Sequence, residues 1–275
     1  MSTAQGTAAL VQSDPRIQGV KYLNAWPPLY GLMMGRAREQ VRMALPSVLA
    51  QRLVAGEADL ALAPVATLAL GPGFELVPGI CIGADGEVAS VLVVGECPIE
   101  DMDRLLLDTA SRTSVVLAQL IASQRRAGRA LAVEPGDHAR MAREVGGRTG
   151  AVVIGDHALA LRTQYPCVLD LAQAWRDWTG LPFVFAAWIA RAGVVDEPTA
   201  TMLRDSLAHG LAARREIAHL WAAQEGGSPS FYEHYLRHHI RYVLDDQYEA
   251  GLREFLARAS AARLLEPVAL RFAAA

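Results

Sequence analysis

The amino-acid sequence predicts an α/β protein with two lobes and a ligand cleft between them. The N-terminal part alternates between apolar strand-like runs and short helical runs, a pattern typical of parallel strand pairing. A second series of the same kind runs over 105–156. Two long apolar segments, 88–95 and 183–190, flank this second series and indicate that it is inserted into the first.

The first series follows a small, polar and aperiodic N-terminal segment, residues 1–15, which we expect to be a disordered tail. Short apolar runs indicate strands, proline and glycine indicate turns, and apolar residues at helical spacing indicate helices. In order, the predicted elements are a strand over 17–23, a turn over 24–28, a helix over 48–54 that stops at Gly56, and strands over 59–64, 74–82 and 87–95.

The same signals predict the rest of the chain. Its last part is dominated by helical periodicity, with Ser230 and Asp245 as expected N-caps. The predicted elements are a strand over 105–107, a helix from 111, a helix over 140–150, strands over 151–156 and 183–190, and helices over 199–224, 230–242 and 245–265.

These elements predict a division into lobes. If the two long apolar segments carry the chain crossings, residues 96–182 form an inserted second lobe. Residues 16–95 and 183–275 then build the first lobe together. The ligand is expected in the cleft between the lobes, at the carboxyl ends of the strands, where open α/β sheets bind ligands.

Composition excludes several classes of function. A net charge of −3 and a pI near 6.2 argue against binding to nucleic acid or to a membrane surface. Three widely spaced cysteines without a C-x-x-C motif indicate reduced thiols, and no apolar run approaches the ~18 residues of a membrane span. Without a signal peptide either, we expect a cytoplasmic protein, whose oligomeric state the sequence leaves open.

No metal and no cofactor are expected. The glycine-rich stretch over 146–150 lacks the spacing of a dinucleotide-binding motif, and the sequence has no P-loop. His234 and His238 lie four residues apart, as metal ligands often do, but no third ligand accompanies them, which favours a solvated helix face.

Small hydroxyl residues follow the predicted strand over 105–107. Either Thr109 or Ser111 is expected near the N-cap of the next helix, and Ser47 stands at another helix start. A helix N-terminus carries unpaired N–H donors and a partial positive charge, so such a position suits an anion. A plain helix cap accounts for the same residues.

A series of short motifs runs through residues 17–190, about two-thirds of the chain. In order, they are Tyr22-Leu23-Asn24-x-x-Pro27, Leu45-Pro46-Ser47, Pro78-Gly79-Ile80-Cys81-Ile82-Gly83, Val88-x-Ser90-Val91, Asp108-x-x-Ser111-Arg112-Thr113-Ser114, Ile154-Gly155-Asp156-x-Ala158-Leu159, and Asp170-Leu171 through Trp175 to Thr179-Gly180-Leu181-Pro182-Phe183-Val184-Phe185-Ala186. Each motif is weak alone, but their number and order resemble the chorismate dehydratase family of the futalosine route to menaquinone.

The resemblance implies the two-lobed fold of type II periplasmic binding proteins and a lyase that converts chorismate to 3-[(1-carboxyvinyl)oxy]benzoate without a cofactor. Two other functions fit the same fold. One is a ligand-binding protein without catalysis. The other is the sister 1,4-dihydroxy-6-naphthoate synthase, whose N-terminal motif resembles Ser-Pro-Cys, whereas Tyr22-Leu23-Asn24 looks like the dehydratase version.

The expected site residues come from these motifs, and their roles follow from what a dianionic substrate requires. Asn24 and Ser90 are the predicted catalytic residues. Asn24 would bind the departing hydroxyl, although it could instead bond the backbone of its own turn, and Ser90 could instead bond a neighbouring carbonyl. The predicted substrate-binding residues are Tyr22, Ser47, Ser111, Arg112, Thr113, Ser114 and Asp156. Arg112 fits a carboxylate partner or a solvated side chain equally well.

The identity of the proton acceptor stays open. Asp156 ends a buried strand, so it could be a base, a binding residue or a helix cap. The enolpyruvyl carboxylate of the substrate is the preferred base. His157, beside Asp156, has a suitable ordinary pKa, but the family pattern does not specify its position and it is left out.

Overall fold

The structure is a computed structural model that describes residues 15–71 and 73–274, without the side chain of Arg36. Apart from Pro15, the predicted tail lies outside the described residues. Within them the chain forms two five-stranded sheets with helices around both. The strands are β1 (Ile17–Val20), β2 (Val41–Ala44), β3 (Leu60–Pro64), β4 (Phe74–Ala84), β5 (Val91–Gly95), β6 (Arg104–Asp108), β7 (Ala132–Gly136), β8 (Thr149–Ile154), β9 (Cys167–Asp170) and β10 (Phe183–Arg191).

The helices alternate with the strands and then dominate the C-terminal part. They are α1 (Trp26–Met34), α2 (Pro46–Val54), α3 (Thr113–Arg125), α4 (His138–Glu144), α5 (Gly155–Leu161), α6 (Leu171–Thr179), α7 (Glu197–Ala212), α8 (Arg214–Glu225), α9 (Pro229–His234) and α10 (Asp246–Ala261). Short 3₁₀ segments lie at Leu23–Ala25, Arg36–Gln40 and Val65–Leu70, and a π-helical turn covers Tyr235–His239.

The first sheet has the strand order β2-β1-β3-β10-β4 and the second has the order β7-β6-β8-β5-β9. In each sheet three neighbouring strands are parallel: β2, β1 and β3 in the first, and β7, β6 and β8 in the second. The returning strands β10 and β5 run antiparallel to their neighbours. Two parallel βα series joined by crossing strands are what the sequence predicts.

Strand β5 corrects the predicted division into lobes. It pairs with β8 and β9, so residues 91–95 belong to the second sheet and not to the first lobe. The chain therefore crosses outward within 85–90, just before this strand. An apolar run indicates a buried strand, but it does not indicate which of two sheets buries it.

The two sheets share one apolar core. Trp175 on α6 packs edge-on against Phe183 on β10, with ring centroids 5.5 Å apart, and Phe183 lies 5.0 Å from Phe255 on α10. All three side chains are almost completely buried. Since α6 follows the second sheet whereas β10 belongs to the first, this aromatic cluster fixes the lobes to each other.

The C-terminal helices differ in detail from the prediction. The single helix expected over 199–224 is two helices, α7 and α8, that meet at Ala213. Helix α9 is capped by Ser228, whose hydroxyl accepts from the Phe231 N–H, and not by Ser230. Asp245 caps α10 as predicted, by accepting from the N–H groups of Gln247 and Tyr248.

Candidate functional site

The carboxyl ends of the parallel strands in the two sheets meet across a cleft. The Leu23 N–H, just beyond β1, donates to Asp156 Oδ1 at the end of β8 over 3.4 Å. The Ala66 N–H, just beyond β3, donates to Thr113 Oγ1 beyond β6 over 3.2 Å. These two hydrogen bonds bring together the strand ends at which ligands bind in open α/β sheets.

The turn after β1 reaches into the second lobe through Tyr22. Its ring packs directly on Gly155, where a Cβ atom would lie only 2.8 Å from the ring. Gly155 also has a φ of +62°, so a glycine is required here for both space and backbone conformation. Burial raises the pKa of the Tyr22 hydroxyl, and the carboxylates of Asp108 and Asp156 raise it further.

Both predicted catalytic residues contact one tyrosine that the sequence analysis missed. The buried Tyr235 hydroxyl donates to Ser90 Oγ over 2.7 Å. The Asn24 side chain lies near enough to lower the pKa of this hydroxyl, as Ser90 does, but burial outweighs both and raises the Tyr235 pKa. Asn24, the only asparagine of the sequence, therefore faces the C-terminal part of the chain through Tyr235.

The segment that carries Ser90 is held from several sides. The N–H groups of Val88 and Ala89 donate to Asp170 Oδ2 over 3.0 and 2.7 Å, and the Gly155 N–H donates to the Ser90 carbonyl over 2.8 Å. Ala89 has a φ of +62°, which is strained for a residue with a Cβ atom. Ser90 itself is completely buried at the outward crossing.

The start of α3 differs from the prediction. The helix begins at Thr113, and the N-cap position is Arg112, which has no capping side chain. Neither Thr109 nor Ser111 caps it, because Asp108 Oδ1 accepts from the Ala110 N–H and the Ser111 N–H donates to the Asp108 carbonyl. This turn delays the helix by two residues and leaves its first turn without a side-chain cap.

An uncapped helix start with hydroxyls beside it suits an anion. Thr113 and Ser114 are both buried there, and the Thr113 hydroxyl, which accepts from Ala66, still has a proton to donate. Arg112 Nε is buried and has no hydrogen-bond partner within the described part of the chain. Ser47 lies in the first turn of α2, which follows the edge strand β2, and β2 pairs with β1 in the first sheet.

Asp156 is a binding or base candidate and not a helix cap. The N-cap position of α5 is Ile154, and Asp156 lies inside the first turn. Burial raises the pKa of its carboxyl to about 6; the Leu23 N–H lowers this pKa, and the nearby Glu225 raises it. The carboxyl is therefore half-protonated near pH 6 and mostly ionised at pH 7, and a pKa shifted towards the working pH is a property of many acid–base groups.

Comparison with known proteins gives one family. The family model for menaquinone biosynthesis matches residues 15–261. A chorismate dehydratase from Thermus thermophilus is 29% identical over 267 residues, which cover 88% of this chain and 94% of that protein. Among the described residues, no helix is long and apolar enough to cross a membrane.

Solved structures confirm the predicted fold. A protein from Archaeoglobus fulgidus aligns with a TM-score of 0.72 at 15% identity, covering 91% of this chain and 98% of that chain. The alkanesulfonate-binding protein SsuA from Xanthomonas axonopodis aligns with a TM-score of 0.65 at 14% identity, covering 93% and 96%. At such identities the similarity establishes a shared fold and nothing more.

The raised pKa of Asp156 predicts a pH-dependent stability. The folded protein keeps a proton that the unfolded chain releases between about pH 4 and pH 6, so stability is lost as the pH rises through this window. Asp156→Asn, which has no charge to bury, is expected to exceed the wild type in unfolding free energy by at most about 2–3 kcal/mol at pH 8 and to match it near pH 4.

Urea unfolding at several pH values between 4 and 8 measures this difference. The control is Asp205→Asn on an exposed face of α7, whose curve should run parallel to that of the wild type. A constant offset between Asp156→Asn and the wild type at all pH values would contradict the raised pKa.

Proposed function

We propose that this chain, which belongs to the menaquinone-biosynthesis family, dehydrates chorismate to 3-[(1-carboxyvinyl)oxy]benzoate in the futalosine route. The curated relative named chorismate dehydratase supports the substrate. The main structural support for this reaction is that Asn24 and Ser90 both lie at the Tyr235 hydroxyl, beside the outward crossing. A binding protein needs a closed cleft, but it does not need an amide and a hydroxyl fixed at one point.

The reaction removes the C3 proton and the C4 hydroxyl of chorismate, so that the ring becomes aromatic. Electrons from the C3–H bond pass through the ring alkene to the ring carboxylate and then form the new double bond as hydroxide leaves from C4. The proton and the hydroxide leave together as water, so no electron acceptor is needed. Groups that bind the ring carboxylate therefore stabilise the transition state more than the ground state.

The start of α3 supplies such groups. The Thr113 and Ser114 hydroxyls and the first-turn N–H groups can donate to a carboxylate, and Arg112 Nε can add a charged donor. The Thr113 hydroxyl is fixed before the substrate arrives, since it already accepts from the Ala66 N–H. Prior fixation is what makes such donors effective in catalysis.

Asn24 is assigned to the departing hydroxyl. An amide is too weak a base to take a proton from carbon, but its N–H₂ group can donate to the oxygen on which negative charge develops. Tyr235, whose hydroxyl donates to Ser90, lies beside this amide and can position it. Ser90 is fully buried and anchored on the crossing, so it acts on the same part of the substrate or through Tyr235.

The C3 hydrogen and the C4 hydroxyl lie on one face of the ring, so one group can take the proton and return it to the departing hydroxyl. We assign this role to the enolpyruvyl carboxylate of the substrate. Asp156 is the alternative within the protein, because its pKa of about 6 suits a general base. One of its oxygens, however, already accepts from Leu23.

The first test is incubation of the purified protein with chorismate without any added cofactor. We expect a product lighter by one water in mass spectrometry, and Asn24→Ala is expected to lower kcat by about 10²–10³-fold through loss of a donor at the leaving oxygen. Gln164→Ala, which removes an exposed amide, serves as the control.

Unchanged chorismate in an assay validated with a known dehydratase would contradict the proposal. Ligand-induced stabilisation without turnover would then favour the binding protein. Turnover of the sister enzyme's substrate would favour the naphthoate synthase.

The assignment of the base predicts that Asp156→Asn retains activity within about tenfold, because asparagine can still accept from Leu23 while the substrate supplies the base. Single-turnover rates with chorismate measure the chemical step directly. A loss of more than about 10³-fold with unchanged chorismate affinity would instead make Asp156 the base.

Tyr235→Phe tests how the two predicted catalytic residues are positioned. Without its hydroxyl, Asn24 and Ser90 lose their shared partner, and we expect kcat to fall by about 10–100-fold with KM changed by less than about threefold. Tyr242→Phe is the matched control, since Tyr242 is also buried but its hydroxyl has no hydrogen-bond partner within the described residues. Equal losses in the two variants would mean that both act through stability alone.

A further inference from the structure

Three polar side chains gather at the carboxyl ends of adjacent strands in the second sheet, and the reaction proposed above does not use them. Asp108 ends β6, His138 begins α4 just beyond β7, and His157 lies in α5 just beyond β8. Because β6 lies between β7 and β8, the two histidines come from either side of Asp108. Their rings meet with centroids 4.0 Å apart and an interplanar angle of 38°.

Asp108 gives this cluster a buried carboxyl group, whose pKa is raised by burial. Its side chain is almost completely buried, and Oδ1 accepts from the Ala110 N–H over 2.8 Å. Oδ2 is also buried and has no hydrogen-bond partner within the described part of the chain. The group that faces it is His138, whose Nε2 lies 3.7 Å away, an ion-pair distance. A buried carboxylate oxygen is costly unless a donor faces it, and His138 Nε2 is the group placed to supply that donor.

The two rings lie so close that two positive charges on them would repel each other. The pKa of His157 is accordingly lowered, by burial and by His138. An anion beside both rings would remove the repulsion and allow both to carry a proton. The His138 side chain is 54% exposed and has Nδ1 left for such an anion, because Nε2 faces Asp108.

The cluster does not fit a metal ion. Two histidines and one aspartate are common metal ligands, but among residues 15–71 and 73–274 no group of three or more such side chains converges on a possible metal position. Two imidazole rings that can take up protons also suit an anion.

We propose that His138 and His157, with Asp108 behind His138, form a second carboxylate subsite of the cleft. It binds one oxygen of the enolpyruvyl carboxylate and leaves the other oxygen to take the C3 proton, while the start of α3 binds the ring carboxylate. This inference rests on the proposed function in one respect, since that function makes the ligand a dicarboxylate. It adds to that function the residues that distinguish a dianion from a monoanion.

The subsite links binding to proton uptake. Above the pKa of a free imidazole the rings must gain a proton as the carboxylate binds, so affinity is highest at low pH and falls by up to about tenfold per pH unit for one linked proton. The other titratable groups nearby are Asp156, Tyr22 and Glu225. Asp156 acts in the same direction, whereas Tyr22 stays protonated because its pKa is raised. The histidines must therefore be tested by substitution.

The experiment uses three stable probes and isothermal titration calorimetry at pH 6 and pH 8. The probe 3-(carboxymethoxy)benzoate has both carboxylates, 3-methoxybenzoate has only the one on the ring, and phenoxyacetate has only the one on the side arm. We expect His138→Gln and His157→Gln each to weaken the dicarboxylate at pH 6 by about tenfold or more, and to weaken only one of the two monocarboxylates. His219→Gln, on an exposed position of α8, should change none of the affinities.

Equal weakening of all three probes, or of none, would overturn the subsite, as would a wild type that binds no dicarboxylate. If a histidine variant fails to fold, proton uptake is measured in an Asp156→Asn background, using buffers of different ionisation enthalpy. About one proton taken up with the dicarboxylate at pH 7.5 supports the subsite, and none overturns it. Tight binding of zinc alone that is lost in His138→Gln would also overturn it.

The test separates the subsite from the proposed function. If the wild type dehydrates chorismate and the histidine variants bind all three probes normally, the proposed function is supported and the subsite is contradicted. If the wild type leaves chorismate unchanged but binds the dicarboxylate through the histidines, the subsite is supported and the proposed function is contradicted.

Discussion

The Asp170 carboxylate is the interaction on which the arrangement of the site depends. It accepts from the N–H groups of Val88 and Ala89 at the crossing and from those of Ala172 and Gln173 in the first turn of α6. A single partly buried carboxylate thus joins the outward crossing to the helix that carries the aromatic core. Hydrogen bonds from four N–H groups compensate its burial, although burial still raises the pKa of Asp170.

This anchor explains why the crossing can hold a strained residue. Ala89 keeps its positive φ because the Asp170 carboxylate fixes its N–H, and Ser90 follows directly. The Ser90 carbonyl then binds the end of β8, and its hydroxyl accepts from Tyr235. Both lobes and the C-terminal helices therefore meet at one buried serine, and the position of Asn24 follows from the same contacts.

Buried carboxyl groups lie beside groups that suit an anion in the cleft, and this couples protonation to ligand binding. Asp108 and Asp156 both have raised pKa values because of burial, and each lies near a donor that suits an anion. In a site of low dielectric constant, such groups keep or lose protons according to what is bound beside them. Protonation and ligand binding in this cleft are therefore coupled, and the uncapped start of α3 supplies the part of the attraction that does not depend on pH.

Much of the architecture could be predicted from local patterns. Alternating apolar runs and helical periodicity gave the two βα series, and the comparisons confirm the family and the fold. Local patterns failed where a long-range contact decided the outcome. The start of α3 was misplaced because Asp108 forms a turn there, and β5 was assigned to the other sheet because strand pairing joins distant segments.

The sequence by itself indicated many of the strands and helices, because hydrophobic periodicity is a local property of the chain, but it did not predict the strands β2, β7 and β9. It also determined which residue types are available for chemistry: one asparagine, hydroxyls at helix starts and almost no lysine. The tertiary structure alone decided which of them meet. Tyr235 lies 145 residues from Ser90, and nothing in its own helix marks it as their common partner. Likewise His138 and His157 come together because the strands before them, β7 and β8, both lie next to β6 in the second sheet. Packing between distant segments therefore decides the partners of each site residue.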